Sequence, residues 1–324
     1  MPAATFNRGL WSMPAVMEFD GNKQGMHSVS IQHGGSVKKM EQNTYESWGK
    51  TELHPGSEKV QEFRKTVYGY YTENRRDFPW RQGYDPYHIL VSEFMLQQTQ
   101  TGRAAEKFLQ FTEAFPGIGC LAMSPVKDVL AQWKGLGYNR RALYLHRTAG
   151  IITNEYGGEV PSDPEILKTL PGIGEYTSKA VSTFAYNLPH VFVETNIRTV
   201  LLHHFFTGGQ TVHDKDIIQA QELTMDAEHP RKWYEAMMDY GAHLKNTGVR
   251  LNSRSSHYVR QKPFQGSDRK MRGEILDVLL ENKVVSSNYI VSKTGGDHDR
   301  IVRLLHDLAA EGFVKEEQGG YSIV

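Results

Sequence analysis

Glu93 stands in the middle of Tyr87–Gln100 (YHILVSEFMLQQTQ), a predicted helix whose centre is nearly all apolar. A carboxylate buried there loses hydration, which disfavours its charged form and raises its pKa toward the range of a general acid near neutral pH. On a polar edge of the same helix it would be an ordinary surface acid. A second stretch carries chemistry of another kind. Pro171-Gly172-Ile173-Gly174 breaks an amphipathic run (Ile166, Leu167, Leu170), and a helix is predicted to start around Tyr176 and Thr177. Two glycines flanking one apolar residue let the backbone turn with no Cβ in the way. The N–H groups of the turn and of the helix start then point outward together, as an anion site for which a phosphate is the natural guest. Ile173 is expected to face inward and pin the turn. This is the pattern of a helix-hairpin-helix, a sequence-neutral grip on a nucleic-acid backbone; by itself, an αα-hairpin with a glycine corner reads the same way.

The elements that must position these groups are helices. Val60, Phe63, Val67, Tyr70 and Tyr71 recur at helical spacing over Lys59–Glu73, and Phe78-Pro79-Trp80-Arg81 ends that helix. Asp85 and Pro86 supply an N-cap and a first-turn proline for the helix of Glu93. Further helices are predicted over Lys107–Phe115, Val126–Trp133, Leu145–Tyr156, Ile197–Phe206, Asp214–Met225 and Trp233–Leu244. A second Pro-Gly-Ile-Gly at Pro116–Gly119 lacks the Tyr-Thr helix start and is given a structural role only. Gly135-Leu136-Gly137-Tyr138-Asn139-Arg140-Arg141 frames an aromatic with glycines and follows it with two arginines, a combination able to enter DNA and hold phosphates; a packed interhelix turn is the alternative. His203 and His204 are adjacent and so point to different faces, which with His213 makes packing or surface roles the expectation rather than metal ligation. From Asp268 the composition shifts. Helices over Met271–Glu281, Asn288–Ser292 and Asp297–Glu311, then strands over Gly312–Lys315 and Gly320–Val324, make a winged helix. Its third helix offers Lys293, His298, Arg300 and Arg303 to DNA, while Asp297, Asp299 and Asp307 dilute that charge and keep a protein-docking role open.

Leu-Pro-Gly-Ile-Gly, Tyr176-Thr177, Phe184-Ala185-Tyr186 and Glu194-x-Asn196-x-Arg198, in this order and spacing, resemble the base-excision DNA glycosylases of the helix-hairpin-helix superfamily. Phe78-Pro79-Trp80, Ser92-Glu93-x-Met95-Leu96-Gln97-Gln98-Thr99-Gln100 and Gly135–Tyr138 resemble the MutY-type adenine glycosylases in particular. The resemblance implies a mainly α fold: two helical lobes with the active site between them over residues 58–266, followed by the winged helix at 267–324. It implies that Glu93 protonates the leaving base and that Glu194 stands where the family has an Asp near the sugar. Glu194 would stabilise the sugar cation, form a covalent adduct or aim a water, unless it merely caps the helix starting near Asn196. The extra methylene moves its charge by roughly 1.5 Å. Tyr176 occupies the place of the Schiff-base Lys in relatives resembling endonuclease III, so no strand cleavage is expected; Lys179, on about the same helix side, is the reason for caution. Gln97, Gln98, Tyr138 and Arg140, with Leu170, Gly172, Gly174 and Thr177 of the hairpin and Asn196 and Arg198 beyond it, are the implied DNA contacts. The substrate implied is double-stranded DNA carrying adenine opposite guanine or 8-oxoguanine. Excision of another damaged or modified base, including modified pyrimidines in foreign DNA, is the second reading, and a catalytically silent lesion binder the third.

Besides Glu194 for the Asp and Asn139 for the second Tyr of the Gly-Leu-Gly-Tyr-Tyr segment, the sequence departs from this family in two larger ways. Four cysteines usually hold an iron–sulfur cluster after the helix resembling Trp233–Ala242, and none lies between Gly241 and Ser267. No cofactor is therefore expected, apart from room for a monovalent cation at the hairpin backbone. The stretch after Ser267 is also too short for the MutT-like domain that reads the oxidised guanine. The rest is ordinary for an intracellular globular monomer. The 324 residues include one cysteine, Cys120, and no apolar run of bilayer length. With 37 basic and 37 acidic residues the formal charge is zero, a weak argument against a nucleic-acid partner. The strip Lys245–Arg272 nevertheless carries eight cations against Asp268 alone, as a phosphate-binding surface or a solvated linker would. Residues 1–57, rich in Gly, Ser, His, Asn and Gln, read as a disordered extension.

Overall fold

A computed structural model describes residues 54, 56–209, 211–255 and 265–324. The expectation for residues 1–57 falls almost wholly outside them, as do Tyr258, Arg260, Lys262 and Phe264 of the basic strip.

Fourteen α-helices, two single-turn 3-10 helices (Pro79–Arg81 and Asn252–Arg254) and one hairpin are present among the described residues. α1 (Glu58–Asn74) starts at Ser57, whose hydroxyl accepts the Val60 N–H, and buries Val60, Phe63, Val67 and Tyr71. It packs with α9 (Thr195–Phe205), α10 (Asp214–Thr224) and α11 (Pro230–Asn246) around Trp233 and Tyr234. The other lobe comprises α2 (Pro86–Leu96), α3 (Thr101–Ala114), α4 (Ile118–Met123), α5 (Val126–Trp133), α6 (Arg140–Glu155), α7 (Pro164–Leu167) and α8 (Glu175–Tyr186), with Phe94, Phe111 and Trp133 fully buried. α2 is its central rod: Asp85 accepts the His88 N–H at 2.9 Å, Pro86 opens the first turn, and eight of eleven residues are buried.

Several helix ends differ from the periodicity. The helix of Glu93 stops at Leu96 rather than Gln100, α3 begins six residues before Lys107, and α6 begins at Arg140 rather than Leu145. One side chain accounts for much of this. Arg141 is buried, and its guanidinium donates to the carbonyls of Phe94, Met95 and Gln97 at 2.6–2.9 Å and to those of Leu136 and Gly137 at 2.9–3.1 Å. It satisfies the open carbonyl end of α2 from outside the helix and stitches that end to the Gly135–Tyr138 loop. Arg141 is thus a structural staple and not a phosphate ligand.

The C-terminal part is α12 (Asp268–Glu281), α13 (Ser287–Thr294) and α14 (His298–Glu311), then β1 (Val314–Glu317) paired antiparallel with β2 (Gly320–Ile323). The hairpin turns through Gln318 and Gly319, both at positive φ, as a two-residue turn requires. β1 starts two residues later than the pattern predicts, because Gly312, at φ 84°, closes α14 first. This winged helix is docked on the helical core. Glu311 accepts Arg140 and Arg272 at 2.6 Å each, Arg147 donates to the Glu311 carbonyl at 2.8 Å, and Lys134 lies 3.3 Å from Asp277. Arg300 and Arg303 of α14 both pair with Asp268, so the cations expected to face DNA are held within the winged helix itself; Lys293 lies over the Tyr289 ring and His298 contacts Asp299.

Candidate active site

α2 packs on α8, which sets Glu93 beside Tyr176. Glu93 is 5% exposed, and the Tyr176 hydroxyl hydrogen-bonds its carboxyl. Burial pushes Glu93 up to about 7; the Tyr176 bond opposes this and the charge of Glu194 adds to it. Burial likewise drives the Tyr176 phenol well above its ordinary value, with the nearby Glu93 and Glu194 carboxylates adding to the effect.

Glu194 reaches the same place from α9. Its Oε1 accepts the N–H groups of Asn196 at 2.7 Å and Ile197 at 2.9 Å, and Oε2 accepts the Thr195 hydroxyl at 3.0 Å. It is therefore the N-cap of α9, and it also lines the cleft. The strand-like approach to it is braced by Phe192, which stacks on Tyr234 at 3.8 Å, donates its N–H to that hydroxyl at 3.1 Å, and meets the Tyr176 ring edge-on at 5.6 Å. Behind the cap, Gly241 of α11 meets α9 so closely that a Cβ there would lie 2.3 Å from the Asn196 carbonyl oxygen.

Glu93, Tyr176 and Glu194 open into one cleft of about 610 Å³, whose other wall includes Phe78, Trp80, Arg81 and Glu235. Glu235 carried no sequence signal beyond its place in α11. It is 2% exposed; Tyr71 donates to its Oε2, while Oε1 has no hydrogen-bond partner among the described residues and lies 3.6 Å from Arg81 Nε. Arg81 itself is anchored by Asp239 at 2.8 and 3.0 Å, and Arg76 joins the same carboxylate at 2.7 Å.

At the hairpin, Ile173 is buried as expected and the backbone of Gly172 and Gly174 is exposed. Gly172 is at φ 77°, and a Cβ there would lie 2.8 Å from both Phe94 and Tyr144. Leu170 is buried, so it offers DNA its backbone and no side chain. Thr177 is buried and accepts Gln97 Nε2 at 3.3 Å; Gln98 follows at φ 57°. Two expected phosphate ligands have other partners. Arg198 forms a forked pair with Asp214 at 2.6 and 3.1 Å and reaches Ser255, and Arg140 is held by Glu311. Tyr138, at φ 48°, lies between Arg141 and Arg269. Asn196 sits in the first turn of α9 and lines the cleft. Lys179 pairs with Glu175 at 2.7 Å and does not line the cleft. His204 packs on Phe63 and bonds Tyr240, and burial pushes it down to about 4; His213 is the N-cap residue of α10.

The cleft can protonate a group leaving toward Glu93 while a carboxylate faces the atom it leaves. Comparisons with known proteins agree with that chemistry. Residues 91–223 match the family described as HhH-GPD superfamily base excision DNA repair protein. An adenine DNA glycosylase of Mycolicibacterium smegmatis is 34% identical over 271 residues, 78% of this chain and 92% of that protein. A thymine/uracil-DNA glycosylase of Methanothermobacter thermautotrophicus is 29% identical over 56% of this chain and 83% of its own length. Among solved structures, a thermostable thymine-DNA glycosylase superposes with a TM-score of 0.51 at 26% identity, over 62% of this chain and 96% of that one.

Proposed function

The chain belongs to the HhH-GPD superfamily of base excision DNA repair proteins and is a DNA glycosylase; on that premise we propose that it hydrolyses the bond between adenine and deoxyribose, adenine lying opposite guanine or 8-oxoguanine, and that it does not cut the strand. The observation that carries the reading is the joining of Glu93, Tyr176 and Glu194 in one cleft. As the C1′–N bond breaks, Glu93 gives its proton to the departing base; water then bonds C1′, and the proton it releases restores Glu93. Three donors fix the Glu194 carboxylate, two on Oε1 and one on Oε2, which suits it to holding a negative charge beside the oxocarbenium-like sugar.

Adenine is supported by the relatives named for it and by Glu235, whose unsatisfied Oε1 offers a buried acceptor to an exocyclic amino group. Tyr176 in place of an amine, and Lys179 held by Glu175, support a monofunctional reaction. The donor set does not fit an iron–sulfur cluster: the single cysteine, Cys120, is on α4 in the other lobe. In the segment after α11, Arg254 donates to the Phe206 carbonyl and the Thr199 hydroxyl donates to Asn252 Oδ1 at 3.1 Å, so part of the basic strip pins the chain to α9.

Single-turnover excision on duplexes with A opposite G, A opposite 8-oxoguanine, T and U mismatches, and modified cytosines tests this. Alkali-dependent breakage at adenine alone is expected. Breakage at another base overturns the substrate and keeps the mechanism; breakage without alkali overturns the monofunctional assignment.

A further inference from the structure

A second cleft, of about 870 Å³, shares Gln97 and Gln98 with the first and lies between the Gly135–Tyr144 segment and the winged helix. The two differ in charge. Three arginines and three glutamates line the first, a balance that suits an uncharged base. Seven arginines and lysines and one carboxylate, Asp277, line the second. Some of these cations have partners, as Arg140 and Arg272 have in Glu311 and Lys134 in Asp277. The Lys134–Asp277 pair is exposed on both sides, and a polyanion competes with a pair of that kind.

The backbone around this cleft is unusual. Gln98 and Tyr138, neither of them glycine, are held at positive φ and both line it. Such conformations persist only where the surroundings fix them, and here Arg141 bonds the carbonyls beside both. Facing them is α12. Arg269 places its guanidinium 4.6 Å from the Tyr138 ring centre and donates to that hydroxyl.

We propose that the second cleft holds the phosphodiester backbone of the strand opposite the excised base, with α12 as the DNA-facing helix of the winged helix and Arg269 as a phosphate contact. This rests on the reading that the first cleft takes a flipped-out base. A duplex whose base enters one cleft leaves its partner strand on the other side of the residues at the gap, and Gln97 and Gln98 are the residues common to both clefts. α14, the helix that usually enters DNA in this fold, contributes no residue to the lining of this cleft, whereas α12 contributes Arg269, Lys270 and Arg272.

Ethylation interference reads the two strands separately. The full chain is bound to a duplex with 2′-fluoro-2′-deoxyadenosine, which resists excision, opposite guanine. Ethyl groups on phosphates of the guanine strand within about three nucleotides of the guanine are expected to block binding, as contacts to phosphate set register. Arg269→Ala is expected to lose that block, to weaken binding about fivefold and to lower the salt slope by about one. Arg269→Lys should restore most of it, and Arg300→Ala should leave the guanine-strand pattern intact. An unchanged guanine-strand pattern in Arg269→Ala, or loss of it in Arg300→Ala alone, overturns the proposal. If the wild-type pattern is as expected but excision occurs at a base other than adenine, the cleft assignment stands and the substrate reading falls. No interference on either strand removes both.

Discussion

The hydroxyl of Tyr176, in the first turn of α8, hydrogen-bonds the carboxyl of Glu93, in the middle of α2. That bond favours the ionised carboxyl, whereas burial and the charge of Glu194 favour the neutral one, and burial is the largest effect. At about 7, Glu93 is divided between its two forms at neutral pH.

The acid must carry its proton to act, so the excision rate at saturating protein should be flat below about pH 6 and fall roughly tenfold per pH unit above about pH 8. Tyr176→Phe removes the bond that lowers the Glu93 pKa and should move the falling limb to higher pH. Single-turnover rates across pH 5 to 9 measure both, and a limb that stays fixed in Tyr176→Phe would uncouple the pair.

The same shift makes a stability prediction. Glu93 is protonated more readily in the folded chain than in the unfolded one, so its contribution is fully favourable below about 4.5 and is lost as pH rises through about 7. Glu93→Gln should lose excision by at least about 10²-fold. At pH 8 it should also unfold at higher denaturant, with a gain of up to roughly 3 kcal/mol that vanishes near pH 4. Equal stability of the two proteins at pH 8 would mean that the carboxyl is better solvated than its burial implies.

Glu194 is both cap and cleft carboxylate, and two substitutions separate the roles. Glu194→Gln keeps an oxygen for the Asn196 and Ile197 N–H groups, so it should cost little stability while lowering excision by about 10²-fold or more. Glu194→Ala loses the cap as well, about 1 kcal/mol in addition. Thermal melts beside single-turnover rates give the comparison; a Gln variant with wild-type rates leaves Glu194 as a cap alone.

Gly241→Ala should be more damaging than any exposed substitution. The new methyl would run into the carbonyl and Cβ of Asn196, none of which a rotamer change can clear, so α9 must move away from α11, at a cost of roughly 2–4 kcal/mol. Because Glu194 heads α9, excision should fall with the melting temperature. An unshifted melt would show that the two helices part without strain.

Borohydride added during turnover should trap no covalent protein–DNA complex, since the cleft wall offers no amine. Lys245 is the lysine to watch: burial lowers its pKa, and it feels the charge of Glu194. A complex that forms in the wild type and disappears in Lys245→Arg would make this enzyme bifunctional after all.

Local chemistry made much of this site legible. The apolar run around Glu93 left a buried and a surface acid both open until the family resemblance chose between them, while Gly172 and Gly174 around Ile173 announce the turn, because the positive φ at Gly172 depends on near neighbours. The winged helix follows equally from periodicity and turn residues. What stayed hidden was the partner of each cation. Arg140 looks like a phosphate ligand until Glu311, 171 residues away, takes it, and Arg198 until Asp214 does. Glu235 was hidden for the same reason, since Tyr71 and Arg81 come to it from far along the chain. Helix ends failed likewise at Leu96, where the capping group is supplied by another helix.

Arg141 has a mechanical meaning as well. Its guanidinium binds the end of the helix that carries Glu93 and the loop that carries Tyr138, and burial lowers its pKa only to about 10, so it stays charged at neutral pH. Sliding the loop alone would strand buried carbonyls, each at about 1–3 kcal/mol. The helix end behind the acid and the loop that carries the tyrosine therefore share one rivet, and neither can shift far without dragging the other.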